Sequence, residues 1–322
     1  FRLEHGNLRA ALEWSLTVGS KTESGLRLAG ACGYFWRLQG SFTEGRARLS
    51  AILDQPGARK YTKARANAVL WAAHLAYIQS DFPTTRILAE EGLALSQELG
   101  QEGRAGVAKA LDLLGELATE TSDYETAPAY FERALDIYRE LQDRRGSADM
   151  LMQLGWAAMR EGDYQRAESY LNESLTLLKE LGETALLGLI LAGLGELAVR
   201  LGRYDRANNL LAQSLQMRRN LGESWGIAAS LGSLGWVAML RRDFTLMREM
   251  LSESIRIRRE IGERGGVAWC LEKLAQAATL QAETLPPSMR LREFRRAVRV
   301  YGAAASLRAP IQSSIDPADL PE

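Results

Sequence analysis

The sequence predicts an all-α solenoid of about seven helical hairpins with a period near 40 residues, and three observations predict it. Leu114-Gly115, Leu154-Gly155, Leu194-Gly195 and Leu234-Gly235 recur at a constant spacing of 40 residues, and Leu274-Ala275 continues the register. A second column, Asp123-Tyr124, Asp163-Tyr164, Arg203-Tyr204 and Asp243-Phe244, follows eight or nine residues behind the first. Between the columns apolar residues return every three and four positions, the period of an amphipathic helix.

Taken in order, residues 1–20 are expected to form an N-terminal joining or capping helix, 21–302 the repeat array, and 303–322 a tail or the start of further closing helices. Hairpins are expected to start near residues 21, 61, 103, 143, 183, 223 and 263. The first two are degenerate: Phe42 and Phe82 hold the aromatic column 40 residues apart, but Phe82 precedes Tyr124 by 42, a slippage of two. A representative unit has one helix over Ala185 to Arg200, a turn at Gly202-Arg203-Tyr204-Asp205 and a second helix over Arg206 to Leu221. Gly182, Gly222 and Gly262, each followed by Glu, are expected as left-handed caps. Arg218-Arg219 and Arg258-Arg259 suit the negative ends of the preceding helices. The last hairpin has a stretched turn carrying Pro286-Pro287. Its second helix alternates Arg290, Arg292, Arg295, Arg296 and Arg299 with Leu291, Phe294, Val298 and Tyr301, so it reads as an amphipathic helix docked by its apolar stripe, with a solvated arginine face.

Glycine inside a helix costs roughly 1 kcal/mol against alanine, so its return at 115, 155, 195 and 235 calls for close helix contact. The small residues Ala127, Ala167 and Ala207 are expected to face it, with Tyr124, Tyr164 and the Phe131 column filling the space between units.

Composition excludes several classes of function. Lys plus Arg equals Asp plus Glu at 40 each among 322 residues, so no global field favours nucleic acid or an anionic membrane. No apolar run is long enough to span a bilayer. Cys32 and Cys270 are too far apart in an elongated array to pair, which suits a reducing, cytoplasmic setting. The chain opens at Phe1 without an initiator Met and reads as a piece of a larger protein. The sequon Asn172-Glu173-Ser174 falls inside a helix and is read as chance.

The Leu-Gly, Asp-Tyr, Ala and Phe/Leu columns resemble the tetratricopeptide repeat, with a 40-residue rather than 34-residue period. That resemblance implies a right-handed superhelical solenoid. The longer unit, closed by Leu-Gly-Glu instead of proline, resembles repeats in the sensor regions of bacterial STAND regulators, signal-transduction ATPases with numerous domains. Glu4 to Trp14 (Glu-His-Gly-Asn-Leu-Arg-Ala-Ala-Leu-Glu-Trp) is similar to the joint that follows the nucleotide-binding and winged-helix modules there, and Arg296 to Arg308 to the closing stretch. The resemblance implies an inducer-sensing domain that controls oligomerisation and an effector such as a transcription regulator. The ATPase itself would lie in the missing modules, since no Gly-x-x-x-x-Gly-Lys-Ser/Thr loop occurs here.

The residue after each Leu-Gly pair is expected to face the inside of the array: Tyr34, His74, Glu116, Trp156, Glu196, Trp236 and Gln276. Rows one turn before (Leu70, Asp112, Met152) and three residues after (Arg37, Tyr77, Met159, Val199, Met239) flank it. Rings mixed with a few polar groups suit a ligand site. The candidate ligand-binding residues are therefore Tyr34, Arg37, His74, Tyr77, Asp112, Glu116, Trp156, Arg160, Glu196, Arg200 and Trp236. Trp156 and Trp236 flanking Glu196 suggest a cage, and packing of those rings as core is the plain alternative. Arg160 and Arg200 suit an anionic ligand group, although Glu196 and Arg200 also have the spacing of a helical salt bridge. Asp112 and Glu116 share a helix face without the nucleophile and base that catalysis needs, so no enzyme is expected. No cofactor or metal set is evident, and His74 alone makes none. The partner expected is a small molecule, peptide or protein inducer. A scaffold that holds a peptide or partner protein in its groove is the alternative.

Overall fold

The computed structural model describes residues 5–17, 22–39, 41–59, 63–283 and 285–308. Of the expected tail 303–322, residues 303–308 belong to the last helix; residues 309–322 and the joint's first residue, Glu4, lie outside the described residues. Fifteen α-helices and no strand occur among the described residues, as the repeat predicts. Helix α1 (His5–Thr17) precedes seven hairpins: α2 (Thr22–Gln39) with α3 (Phe42–Leu53), α4 (Lys63–Ile78) with α5 (Phe82–Glu98), α6 (Arg104–Glu120) with α7 (Ala127–Glu140), α8 (Arg144–Glu161) with α9 (Tyr164–Leu181), α10 (Thr184–Arg200) with α11 (Tyr204–Leu221), α12 (Ser224–Leu240) with α13 (Phe244–Glu260), and α14 (Arg264–Glu283) with α15 (Pro287–Arg308).

The chain divides into two compact units, Phe1–Ala157 and Ala158–Glu322. In the first, α1 packs Leu12 with Leu26, Trp36, Leu49, Ile52 and Leu75 in a common core, and Arg9 Nε donates to Glu44 Oε1 at 2.6 Å. In the second, Leu211, Leu231 and Val237 centre one cluster, and Met239, Met247, Leu251 and Cys270 centre the next.

Local chemistry explains turns in several hairpins. The aspartate of the Asp-Tyr column is the N-cap of α9 and α13: Asp163 accepts from the Arg166 amide and Asp243 from the Leu246 amide, both at 3.0 Å, satisfying donors that have no partner within the helix. At the other end Gly182 and Gly222 adopt φ 69° and 67°, the left-handed cap expected of them.

The mid-helix glycines do mark close contact, but with a different partner from the one expected. A Cβ on Gly115 would lie 2.5 Å from the Phe131 ring, one on Gly195 2.7 Å from Leu211, and one on Gly235 2.8 Å from Leu251. The glycine therefore receives the large residue of the second helix rather than the alanine four positions before it. Tyr124 does not fill the space between units, since it stays 41 % exposed.

One further expectation is corrected and another is extended. The apolar stripe of α15 does not dock the helix: Leu291, Phe294, Val298 and Tyr301 are exposed, and Ala297 and Ala304 are buried instead, because small side chains allow close approach. Arg218 and Arg258 lie in the last turns of α11 and α13, as the dipole reading expects, and packing adds a second role. Both are buried, each donating through Nε to a buried serine, Ser214 at 3.2 Å and Ser254 at 3.1 Å, and each paired with a glutamate, Glu223 or Glu263. Their side chains lie over Gly226 and Gly266, where an added Cβ would overlap the guanidinium.

This arrangement predicts a coupled pair. Gly226→Ala should cost about 1–2 kcal/mol by overpacking, and most of that cost should vanish when Arg218→Ala is already present, a coupling a double-mutant cycle in urea would measure. Additive effects would show that the arginine moves aside freely.

Candidate functional site

Within the first unit, the first helices of successive hairpins present the predicted column on an accessible face. On α2 Tyr34 and Arg37 are exposed; on α4 His74 and Tyr77, and on α6 Asp112 and Glu116, are half-buried. The guanidinium of Arg37 lies 5.1 Å from the centre of the Tyr34 ring. Tyr34 meets Trp71 edge-on at 6.5 Å and Trp71 meets His74 edge-on at 5.6 Å, a geometry aromatic quadrupoles favour. Trp71 was not a predicted site residue. Its signal was Gly33, whose missing Cβ leaves the space the indole fills, 2.1 Å away.

Beside this ring row sits a carboxylate cluster. Burial pushes the Asp112 carboxyl well above its usual range, with Glu116 and Asp149 adding repulsion, and Asp112 Oδ1 is buried without a hydrogen-bond partner. Glu116 is pushed up to about 7, first by burial and then by Asp149 and Glu120, with Arg37 opposing. Burial together with Arg37 pushes His74 down to about 4, so the imidazole is neutral at pH 7. Tyr77 is raised by burial and the same carboxylates. Asp149 was also missed by the sequence reading, although it lies two turns before Trp156 on α8 and so belongs to the same face. Among the described residues no group of three or more His, Cys, Asp or Glu is placed to hold a metal.

A ring row next to desolvated, partly protonated carboxylates is suited to a cation. An ammonium or guanidinium group there gains the faces of the rings and supplies the charge that the carboxylates lack.

The remaining candidates lie elsewhere. Trp156 is half-buried on α8 in the first unit, and Arg160, on the same helix, is exposed in the second. Arg200 Nη2 donates to Glu196 Oε1 at 3.0 Å, the helical salt bridge. Trp236 packs edge-on against Trp269 at 6.3 Å, with Lys273 Nζ 4.9 Å from its centre. The flanking positions Leu70, Met152, Met159, Val199 and Met239 are buried and are not part of an open face. Cys32 and Cys270 are buried free thiols, and no helix of the described residues is long and apolar enough to cross a membrane.

Repeats of this geometry define a class of helical-hairpin arrays, and comparison identifies the repeat. Residues 110–145 and 146–220 match models of the tetratricopeptide repeat, so this stretch carries tetratricopeptide repeats with lengthened helices. None of the curated proteins compared matches the sequence. Among solved structures, the apo form of RapI is 12 % identical with a TM-score of 0.71, over 90 % of this chain and 99 % of that one. Aspartyl phosphate phosphatase F from Bacillus subtilis is 12 % identical with a TM-score of 0.70, over 92 % and 73 %. The Rap conjugation gene regulator of plasmid pLS20, in complex with the Phr* peptide, is 10 % identical with a TM-score of 0.57, over 89 % and 98 %. At these identities the likeness is one of fold.

Proposed function

We propose that this chain is a sensing array whose inducer is a peptide or partner segment carrying a cationic group, held on the open face of α2, α4 and α6. The observation that carries the reading is the orphaned, buried Asp112 carboxylate beside Glu116 and the Tyr34–Trp71–His74 ring row. The peptide in the Rap complex of like fold supports a peptide ligand. In the fuller reading, drawn from the joint at residues 4–14 and the 40-residue period, the array is the sensor of a STAND ATPase. The inducer then favours one packing of the hairpins and so releases nucleotide-binding and winged-helix modules to oligomerise and switch an effector.

Calorimetry with short synthetic peptides, matched pairs with Lys or Arg replaced by norleucine, tests the site. The cationic member should bind at least about tenfold more tightly, as a charge-assisted bond of roughly 1.5–3 kcal/mol implies, and Asp112→Asn with Glu116→Gln should erase the difference. Equal binding of both members would remove the first-unit site. Loss through Trp156→Ala, Glu196→Ala or Trp236→Ala instead would move the site to the cage residues. A phosphate loop and winged helix encoded before Phe1 would support the STAND reading, and another scaffold module there would favour a peptide-binding adaptor.

A further inference from the structure

At three junctions a long side chain in the last turn of the second helix packs on a glycine in the first turn of the next first helix. In the second unit these pairs are Arg218 on Gly226 and Arg258 on Gly266, and in the first unit Tyr138 on Gly146, where an added Cβ would come 2.4 Å from the ring. One hairpin earlier the same column holds Ser96 against Gly106, 2.3 Å from Oγ to the ideal Cβ. A short side chain thus stands where the repeat elsewhere places a long one. The pairing is also stretched. Ser96 and Gly106 are ten residues apart, whereas Tyr138 and Gly146 are eight apart, and the extra residues form the 3-10 turn Gly100–Gly103. The two-residue slippage seen in the sequence therefore lies at this point.

A cavity of about 630 Å³ opens there, with Ser96 and Gly106 among its lining residues. Its walls include Ala66, Leu70, Leu99 and Ala105. Ser96 is fully buried, and its Oγ has no hydrogen-bond partner, a cost that native interiors rarely leave unmet. The mouth carries Arg27, Lys63 and Lys109 against Glu23 and Glu102, an excess of cations that disfavours an arginine occupant and leaves a neutral ring as the better fit.

We propose that this cavity is a receptor for a tyrosine side chain of an extended peptide, which packs beyond Ser96 in the space that a long side chain fills at the other junctions, as Tyr138 does beside Gly146. The aromatic ring fills the alanine- and leucine-walled space. The inference deepens the peptide reading in naming where one side chain is held, and it depends on that reading only for the source of the side chain. The cavity and the carboxylate cluster share no named residue, so the two can fail separately.

The test uses the full chain and a small probe, N-acetyltyrosinamide, with N-acetylleucinamide as comparator, followed by saturation-transfer NMR. The tyrosine probe should bind and the leucine probe should bind at least about fivefold more weakly, a margin that ring contacts of about 0.5–1.5 kcal/mol allow. Ser96→Tyr, which fills the cavity from within, should abolish probe binding and raise the unfolding temperature. Ala105→Trp narrows the mouth from an exposed position and so leaves the interior packing alone; it should abolish binding too, which keeps the test decisive should Ser96→Tyr fold poorly. Absence of tyrosine-probe binding to the unmodified chain, or binding unchanged in Ala105→Trp, overturns the proposal. Charged-peptide binding through Asp112 would survive either result.

Discussion

Replacing Gly195 with leucine should destabilise the α10–α11 hairpin by about 3 kcal/mol, at the upper end of what overpacking a filled interior costs. The first atom of the new side chain would already lie 2.7 Å from Leu211 Cγ and 2.9 Å from its Cδ2, and Leu211 is fully buried with nowhere to retreat. Gly195→Ala should cost less, because the gain of roughly 1 kcal/mol in helix propensity offsets part of the clash. Adding Leu211→Ala to Gly195→Leu should restore much of the loss by exchanging the large and small partners. Repeat arrays lose cooperativity along their length, so the effect belongs in amide exchange resolved to α10 and α11, with slower propagation into neighbouring hairpins. Unchanged protection in Gly195→Leu would show that the glycine is not a packing requirement.

The second large effect is a pH dependence in which one histidine opposes two carboxyls. Glu116 binds its proton more tightly folded than unfolded, from an ordinary 4.5 up to about 7, so its contribution to stability falls as pH rises through that window. Asp112, raised by the same burial, acts in the same direction. His74, lowered from 6.5 to about 4, binds its proton less tightly when folded, so its contribution rises with pH between those values. The Glu116 and His74 shifts each correspond to roughly 3 kcal/mol. The native chain should therefore lose stability as pH rises from 4.5 to about 7, with the histidine offsetting part of the carboxyls' loss below 6.5. His74→Gln should steepen the fall between 4.5 and 6.5. Asp112→Asn with Glu116→Gln should be more stable at neutral pH than the native chain and show only the histidine's rise. Urea unfolding at fixed pH steps reads all three, and a double variant no more stable at pH 7 would mean that the carboxylates are already well solvated. The same protonation links to ligand: a cation must displace the proton on Glu116, so affinity should increase with pH up to about 7.

The sequence by itself determined the helices, their pairing and which residues share the face of the candidate site. A 40-residue register repeats a local pattern, and local patterns such as the Asp163 cap, the Gly182 and Gly222 terminations and the three- and four-residue apolar spacing are decided within a few residues. It could also say that Tyr34, His74 and Glu116 share a face, since column position fixes direction on a helix. What it could not supply was the identity of partners across helices. Gly195 could be read as a close contact, but whether Ala207 or Leu211 enters that contact depends on how two helices slide past each other. The arginines at 218 and 258 were legible as dipole partners in the last turns of their helices, but only packing reveals that Gly226 and Gly266 leave room to bury them. The desolvation of Asp112 and Glu116, the indole of Trp71 in the space left by Gly33, and the void beside Ser96 likewise arise from side chains meeting across hairpins. Burial is a property of the assembled interior, and a one-dimensional pattern indicates which residues point inward without saying how much space they leave.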